Sequence, residues 1–331
     1  MTGADPVRGL ARLVALVRGT GGRGGAGGPG VRVLLTLLTV LAPAGAAAQG
    51  AGSSASTLLR LAPGPRPLAL ANAFVALPDP LALEYNPAAV RGAGVTASYQ
   101  GLPVDATAGA AAVTFPAGPT NLGISLRFVN YGMIDVVEPV DGGPVGQPTG
   151  ETVMGGEISA LVGGALRLGP ARLGLAGRWL QLDVAGLSDG ALVADAGLLV
   201  EPASGLTVGA SVQGLGSDLE AGRSAPVLRT VRFGAAVERW YGERVKAILT
   251  VEGRHRESRL GGGAGLEVRA GNRTLEAAAR IGYEARPDPG DAFSPLVFGG
   301  GVRLDALTVE FAYRALGPLG ATRQVGLRLR F

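Results

Sequence analysis

Hydrophobic and polar residues alternate with a period of two along most of the chain from Val95 onward. In "LTVEFAYR", Leu307, Val309, Phe311 and Tyr313 fall on one face, and Thr308, Glu310, Ala312 and Arg314 on the other. "TLEAAARIGYE" sets Leu275, Ala277, Ala279, Ile281 and Tyr283 against Thr274, Glu276, Arg280 and Glu284. "RVKAILTVEGR" sets Val245, Ala247, Leu249 and Val251 against Lys246, Thr250, Glu252 and Arg254, and "TVRFGAAVE" sets Val231, Phe233, Ala235 and Val237 against Arg232 and Glu238. Such alternation predicts strands with one apolar and one polar face. Fourteen segments carry it: 95–102, 106–116, 121–131, 152–168, 172–184, 191–200, 207–214, 227–240, 244–255, 263–270, 273–284, 294–304, 307–315 and 321–331. Most match the roughly 9–11 residues that a tilted strand needs to cross a bilayer. The fifth changes parity near Trp179–Leu180, which predicts a bulge or a membrane exit there.

The connections carry a second signal. Those after even segments are short: "AGPT", "GPA", "EPASGL", "YGE", "GN" and "DA". Those after odd segments are mostly longer, the largest being Gly132–Glu151 and Leu215–Pro226, with Pro103–Asp105 a short exception. Short turns at one end and long loops at the other are the pattern of outer-membrane barrels. A soluble β-sandwich would also alternate, but its apolar face would be filled with large aromatic and branched residues. Here that face is light in aromatics while the other is charged. The expected fold is all-β: an antiparallel transmembrane β-barrel of about 14 strands with an N-terminal hatch or plug segment. On the closing strand, Val325, Leu327, Leu329 and Phe331 form an apolar outward row, opposite Gln324, Arg328 and Arg330. A terminal Phe in such a row resembles the signal read by the bacterial barrel-assembly machinery.

Composition narrows the chemistry. The 331 residues include no cysteine and a single histidine, His255, so thiolate sites, disulfides and histidine clusters are out of reach. The chain holds 56 glycines without a three-residue period, which excludes collagen. Residues 1–49 hold five of the 30 basic residues and one of the 26 acidic ones, leaving 25 of each, so the basic pI is a property of the leader. No basic stripe with interleaved aromatics remains, and nucleic acid is not an expected partner. "GGGAG" at 261–265 lacks the lysine of a phosphate loop. No enzyme, cofactor or metal site is expected.

Arg32, the apolar run "VLLTLLTVLAPAG" and small residues at Ala46 and Ala48 read as a secretory signal cleaved after Ala48. Residues 1–48 are therefore a signal peptide, 49–94 the plug and 95–331 the barrel. The plug holds "ALANAFVALPDPLALEYNPAAV", Ala69 to Val90. Within it Asn86 suits a helix N-cap and Pro87 a first helical position, predicting one short turn over Asn86–Val90. Eight strands already suffice for side chains to fill a barrel, so fourteen leave space that this apolar segment, at the periplasmic mouth, would occupy. Inward charges of mixed sign would form ion-pair ladders there: Arg127, Arg178, Arg232, Glu238, Glu252, Arg254, Glu267, Arg269, Glu276, Arg280, Arg303, Glu310 and Arg314.

With these pieces in place the chain resembles the PorV/PorQ family, a branch of the FadL-like fourteen-stranded barrels. The motif is Ala73-Phe74-Val75-Ala76, then Asp79, then Tyr85-Asn86-Pro87-Ala88. "VQGLGSDLEAGRSAPVLRTVRFGAAVE" and "FAYRALGPLGATRQVGLRLRF" are similar to later segments of that family. The family usually has glycines where this chain has Ala71-Asn72, and paired acids where it has Pro78-Asp79-Pro80. The resemblance implies a non-enzymatic barrel in the outer-membrane lipid, associated with type IX-like secretion machinery or exported cargo through its extracellular loops. The alternative is a FadL-like transporter of hydrophobic small molecules, for which Val136, Val137, Pro139 and Val140 are the candidate point of access. Against it, the inward rows read as charged or small, without a continuous apolar track.

Overall fold

A computed structural model describes residues 56–139, 146–219, 227–256, 259–285 and 294–331. The expected signal peptide, the first residues of the plug segment and Val140 lie outside these. The alternating segments form β1 (Gly94–Gly101), β2 (Thr107–Ala117), β3 (Thr120–Pro139), β4 (Gly146–Leu168), β5 (Ala171–Val184), β6 (Leu187–Ala203) and β7 (Leu206–Gly216). The second half is β8 (Thr230–Tyr241), β9 (Val245–Arg256), β10 (Arg259–Gly271), β11 (Leu275–Ala285), β12 (Leu296–Leu304), β13 (Leu307–Ala315) and β14 (Ala321–Arg330). Every strand pairs antiparallel with its chain neighbours, and β14 pairs with β1 from Gly94↔Arg330 to Gly101↔Arg323. The sheet is a closed fourteen-stranded barrel, and closure leaves no edge whose backbone groups would face hydrocarbon unpaired.

The two faces of each strand are sorted as a bilayer requires. Outward residues are large, apolar and exposed, with Leu175 at 72% and Leu192 at 67%, whereas the inward neighbours Ala176 and Val193 are buried. A water-soluble sandwich would invert that order. Outward aromatics stand at both ends, with Tyr241 and Phe331 at one and Tyr99, Tyr283 and Tyr313 at the other, as in the girdles of a membrane barrel. Val325, Leu327 and Leu329 stand on that outer face while Gln324 and Arg328 are buried inside.

Connections after even strands are two or three residues long and define a short-turn end, which also holds the start of β1 and the end of β14. Three expectations about the opposite, long-loop end are corrected. Most of Gly132–Glu151 is strand rather than loop: β3 and β4 run on as a ribbon past their neighbours, with register shifts at Asn130/Met133 and Asp135/Val137. Val136 and Val137 belong to β3. The β5–β6 connection is a two-residue turn, Ala185-Gly186, with φ of 52° and 80°, the left-handed pair of a tight hairpin. Finally, β5 keeps one parity throughout, pairing with both neighbours without a register shift. Leu180 faces the lumen like Arg178 before it. The sequence reads as a parity change because the lumen itself turns apolar at that height.

Candidate functional site

Residues 56–93 thread the lumen, and each piece of this plug has a local cause. Pro65 opens α1 (Pro65–Ala69), with a proline at its first position. Asp79 caps the 3-10 turn Pro80–Glu84, accepting from the Leu81 N–H at 2.9 Å. Asn86 caps the turn Pro87–Ala89, accepting from the Ala88 N–H at 3.0 Å, as its sequence position predicts. Its amide also donates to the Val75 carbonyl at 2.8 Å and the Leu198 carbonyl at 3.0 Å, tying the plug to β6. Ala71 and Asn72, which stand where glycines are usual, both adopt positive φ, 53° and 58°. Asn tolerates that region, and the Tyr85 hydroxyl donates to Asn72 Oδ1 at 2.7 Å; Ala71 bears a strain of about 1–2 kcal/mol. The segment does not sit at the short-turn mouth alone. Its start lies toward the long-loop end, where the wall carboxylate of Glu157 accepts from Ser56 Oγ and from the Thr57 and Leu58 N–H groups. Leu58 there packs with Val129 and Leu102.

The wall is shaped to admit the plug backbone. A Cβ on Gly174 would overlap the backbone of Pro87 and Ala88, and one on Gly197 would overlap Asn86 Oδ1. Gly209, Gly263 and Gly282 meet the backbone of Val75, Ala71 and Ala69–Ala71 in the same way. These glycines lie on five strands, and their value is the missing side chain, which lets main chain press on main chain.

Charges then fasten what shape has positioned. Asp79 and Arg66 of the plug close a ring of six alternating ions with Glu267, Arg280, Glu310 and Arg328 of β10, β11, β13 and β14. Successive contacts are Asp79–Arg66 2.6 Å, Arg66–Glu267 2.9 Å, Glu267–Arg280 2.5 Å, Arg280–Glu310 2.7 Å, Glu310–Arg328 3.2 Å and Arg328–Asp79 2.8 Å. All six side chains are buried. Across the lumen Glu84 receives Arg178 at 2.9 Å and Arg127 at 3.3 Å. Glu252 accepts from the Phe74 and Val75 N–H groups and from Arg232 at 2.6 Å. Burial pushes the carboxyls of Asp79 and Glu84 up. The guanidinium groups outweigh it, lowering Asp79 and holding Glu84 at about 2.

Of the sequence-predicted residues, Phe74, Asp79, Tyr85, Asn86 and Pro87 come together as the body of the plug, with Phe74 and Tyr85 rings 5.3 Å apart. Arg127, Arg232, Glu252, Arg280 and Glu310 join its ion pairs. Arg314 pairs with Glu284, and Arg269 with Glu267 and, at 3.6 Å, with half-buried Glu276. Glu238 does not belong to the network: it lies near the end of β8, exposed, paired with Lys246 at 3.0 Å. Arg66, Glu84, Glu157 and Asp195 are members of these buried networks that the alternating pattern does not single out, and it places Arg328 only on the inward face of the closing strand. For Arg66 and Glu84 a signal existed. With Asp79 they are the only charges between Leu61 and Val90, and charges in an apolar run need buried partners.

The other half of the lumen corrects the expectation that the inward rows are only charged or small. Toward the long-loop end Leu180, Ala191 and Val193 of the wall pack with Leu219 and Val227 of the β7–β8 connection, against Leu59 and Leu182. A cavity of about 20 Å³, water-sized, is lined both by Leu59, Val193 and Leu228 and by Glu84, Arg127 and Arg178. The bulge that opens β7 at Gly214, whose N–H donates to Asp195, borders the same cavity.

No protein-family model matches the sequence, and no curated protein matches it. Solved structures do match in fold. The Ralstonia pickettii toluene transporter TbuX aligns with a TM-score of 0.53 at 12% identity, covering 81% of this chain and 98% of its own. The Pseudomonas putida toluene transporter TodX gives 0.53 at 10%, covering 78% and 96%. A Pseudomonas aeruginosa FadL homologue gives 0.50 at 10%, covering 80% and 96%. At such identity the likeness speaks for fold alone, and in fold this chain is a FadL-like fourteen-stranded barrel of the outer-membrane type.

Proposed function

We propose that the protein is a non-enzymatic outer-membrane route for hydrophobic small molecules, closed in this structure by its plug. The observation that carries the reading is the apolar cluster of Leu59, Leu180, Leu182, Val193, Leu219 and Val227, built mostly from wall and loop residues, whereas the apolar wall residues Leu161, Leu199, Ile248 and Val297 pack against the plug. An apolar enclosure at the long-loop end, directly above the fastened plug, suits capture of an apolar solute from outside. The toluene-transporter neighbours support the same class of cargo. The test is initial uptake of labelled toluene by cells carrying the barrel, compared with Val193→Glu and Leu182→Glu. The reading expects uptake above background that both variants abolish while the barrel still assembles. Uptake indifferent to both substitutions would overturn it.

A protein-handling role of the PorV/PorQ kind is the second reading, favoured by the β3–β4 ribbon. It projects past the last β2 and β5 pairings, at Asn130 and Gly155, and holds Met133 and Met154 opposite one another at 76% and 73% exposure. Exposed methionines make an adaptable contact surface. Two other connections at the long-loop end, Leu215–Pro226 and Ala285–Phe293, lie largely outside the described residues. Loss of partner capture on Met133→Ser/Met154→Ser, with uptake unchanged, would favour this reading.

A further inference from the structure

The six-ion ring neutralises itself, with three carboxylates facing three guanidiniums, but the lumen surface beside it does not. At the short-turn end a small open cavity is lined by Arg269, Arg303, Arg328, Arg330, Thr308 and Glu276, among others. Outside the ring this leaves three guanidiniums, those of Arg269, Arg303 and Arg330, against the single carboxylate of Glu276, a surplus of two positive charges. Glu276 reaches Arg269 and Arg303 only at 3.6 Å each. The donors are held in place. Arg303 donates to the carbonyls of Arg273, Asn272 and Asp305 in the adjoining turns, and Arg269 Nε donates to Glu267 at 2.6 Å. Three polar groups nevertheless lack partners among the described residues. Arg328 is 2% exposed, yet its Nε has no acceptor, and neither does the buried hydroxyl Oγ1 of Thr308. Arg330 carries no side-chain hydrogen bond or ion pair.

We propose that this cluster is a binding site for a water-borne, phosphate-sized oxyanion at the short-turn mouth of the lumen. Fixed guanidinium edges and a hydroxyl around one small cavity are the donor set that a tetrahedral oxyanion takes, and guanidinium recognises it with paired N–H groups. The enclosed space is about 10 Å³, enough for a single oxygen, so the rest of the anion stands in the open mouth. A lipid headgroup is the wrong source, because all the lining residues belong to lumen-facing rows while the lipid-facing rows at this height are Leu275, Val302, Leu307 and Leu329. Since Arg328 also holds Asp79, an anion here joins the plug's own fastening to solution on the short-turn side.

Inorganic phosphate is the probe, titrated against chloride at constant ionic strength into the full barrel in zwitterionic detergent, and read by phosphorus NMR line width and calorimetry. The expected result is saturable binding at one site per barrel, weakened about tenfold or more by Arg330→Gln, which removes one charge-assisted contact. Thr308→Val should weaken it several-fold, and Arg323→Gln, at the far end of β14, should leave it unchanged. Arg330 has no side-chain partner among the described residues, so its variant is expected to keep the fold, which unboiled gel mobility verifies. Absence of saturation in the wild type, or saturation indifferent to Arg330→Gln, would overturn the site. So would loss of phosphate binding in phosphatidylglycerol nanodiscs but not phosphatidylcholine ones, since the occupant would then be lipid.

Discussion

Asp79→Asn tests whether ion pairs hold the plug in place. Asparagine keeps the cap for the Leu81 N–H, so the substitution removes charge and little else. The ring then holds three guanidiniums against two carboxylates, and Arg66 and Arg328, both buried, each lose one of two acidic partners. Breaking a buried pair by removing one partner costs about 3–5 kcal/mol, because a charge is left uncompensated away from water. Asp79 belongs to the plug, and of its two partners Arg328 belongs to the wall while Arg66 reaches the wall through Glu267, so the cost falls on docking. At about 1.4 kcal/mol per factor of ten, the undocked fraction should rise roughly 10²- to 10³-fold. The chain has no cysteine, so Ala82→Cys, fully buried in the plug, gives a clean reporter. Its maleimide labelling rate tracks the undocked population when reclosing is fast. The expected outcome is a labelling rate raised by two orders of magnitude or more, with unchanged unboiled gel mobility. Arg328→Met added to Asp79→Asn restores neutrality and should recover part of the loss. A rate within about twofold of the parent, where the cost would be below about 0.5 kcal/mol, would refute the reasoning for the ring and leave shape and the contacts of Glu84, Glu157 and Glu252 as the fasteners.

The same reporter should respond to pH through Glu84. Its docked carboxyl sits at about 2 against an ordinary 4.5, so its contribution is complete above about pH 4.5 and is lost as pH falls toward 2. Labelling, divided at each pH by that of a freely exposed cysteine to remove the loss of thiolate, should climb across that window, and less so in Glu84→Gln. Gly174→Val should unseat Pro87–Ala88 at a cost of about 1–3 kcal/mol, seen as faster labelling, while Gly177→Val, whose added carbon meets nothing, should not. Leu327→Arg, on the lipid face of β14, should lower barrel stability in liposomes by about 2–4 kcal/mol in urea titrations, the cost of a midplane arginine. An unchanged midpoint would mean that this face does not meet lipid.

Period-two alternation was enough to place fourteen strands and their inward rows, because in a membrane barrel the same physical rule, apolar to lipid and polar or small to lumen, applies at every strand. The plug's Asn86-Pro87 turn was legible for a similarly local reason: a side-chain oxygen and a fixed φ act within three residues. What sequence could not supply was distance across the lumen. Arg66 and Glu267 are 201 residues apart, and Asp79 and Arg328 are 249 apart, and nothing local says that they meet. The misread parity at Leu180 has the same origin. An inward leucine looks like a slipped strand until Leu219 and Val227 are seen packed over it. The sequence by itself determined the strands, their two faces and the caps of the plug, all of which depend on neighbours in the chain. Only the tertiary structure decided which glycines admit the plug, which ions close the ring and where the lumen is greasy. Those depend on strands brought together by closure of the barrel.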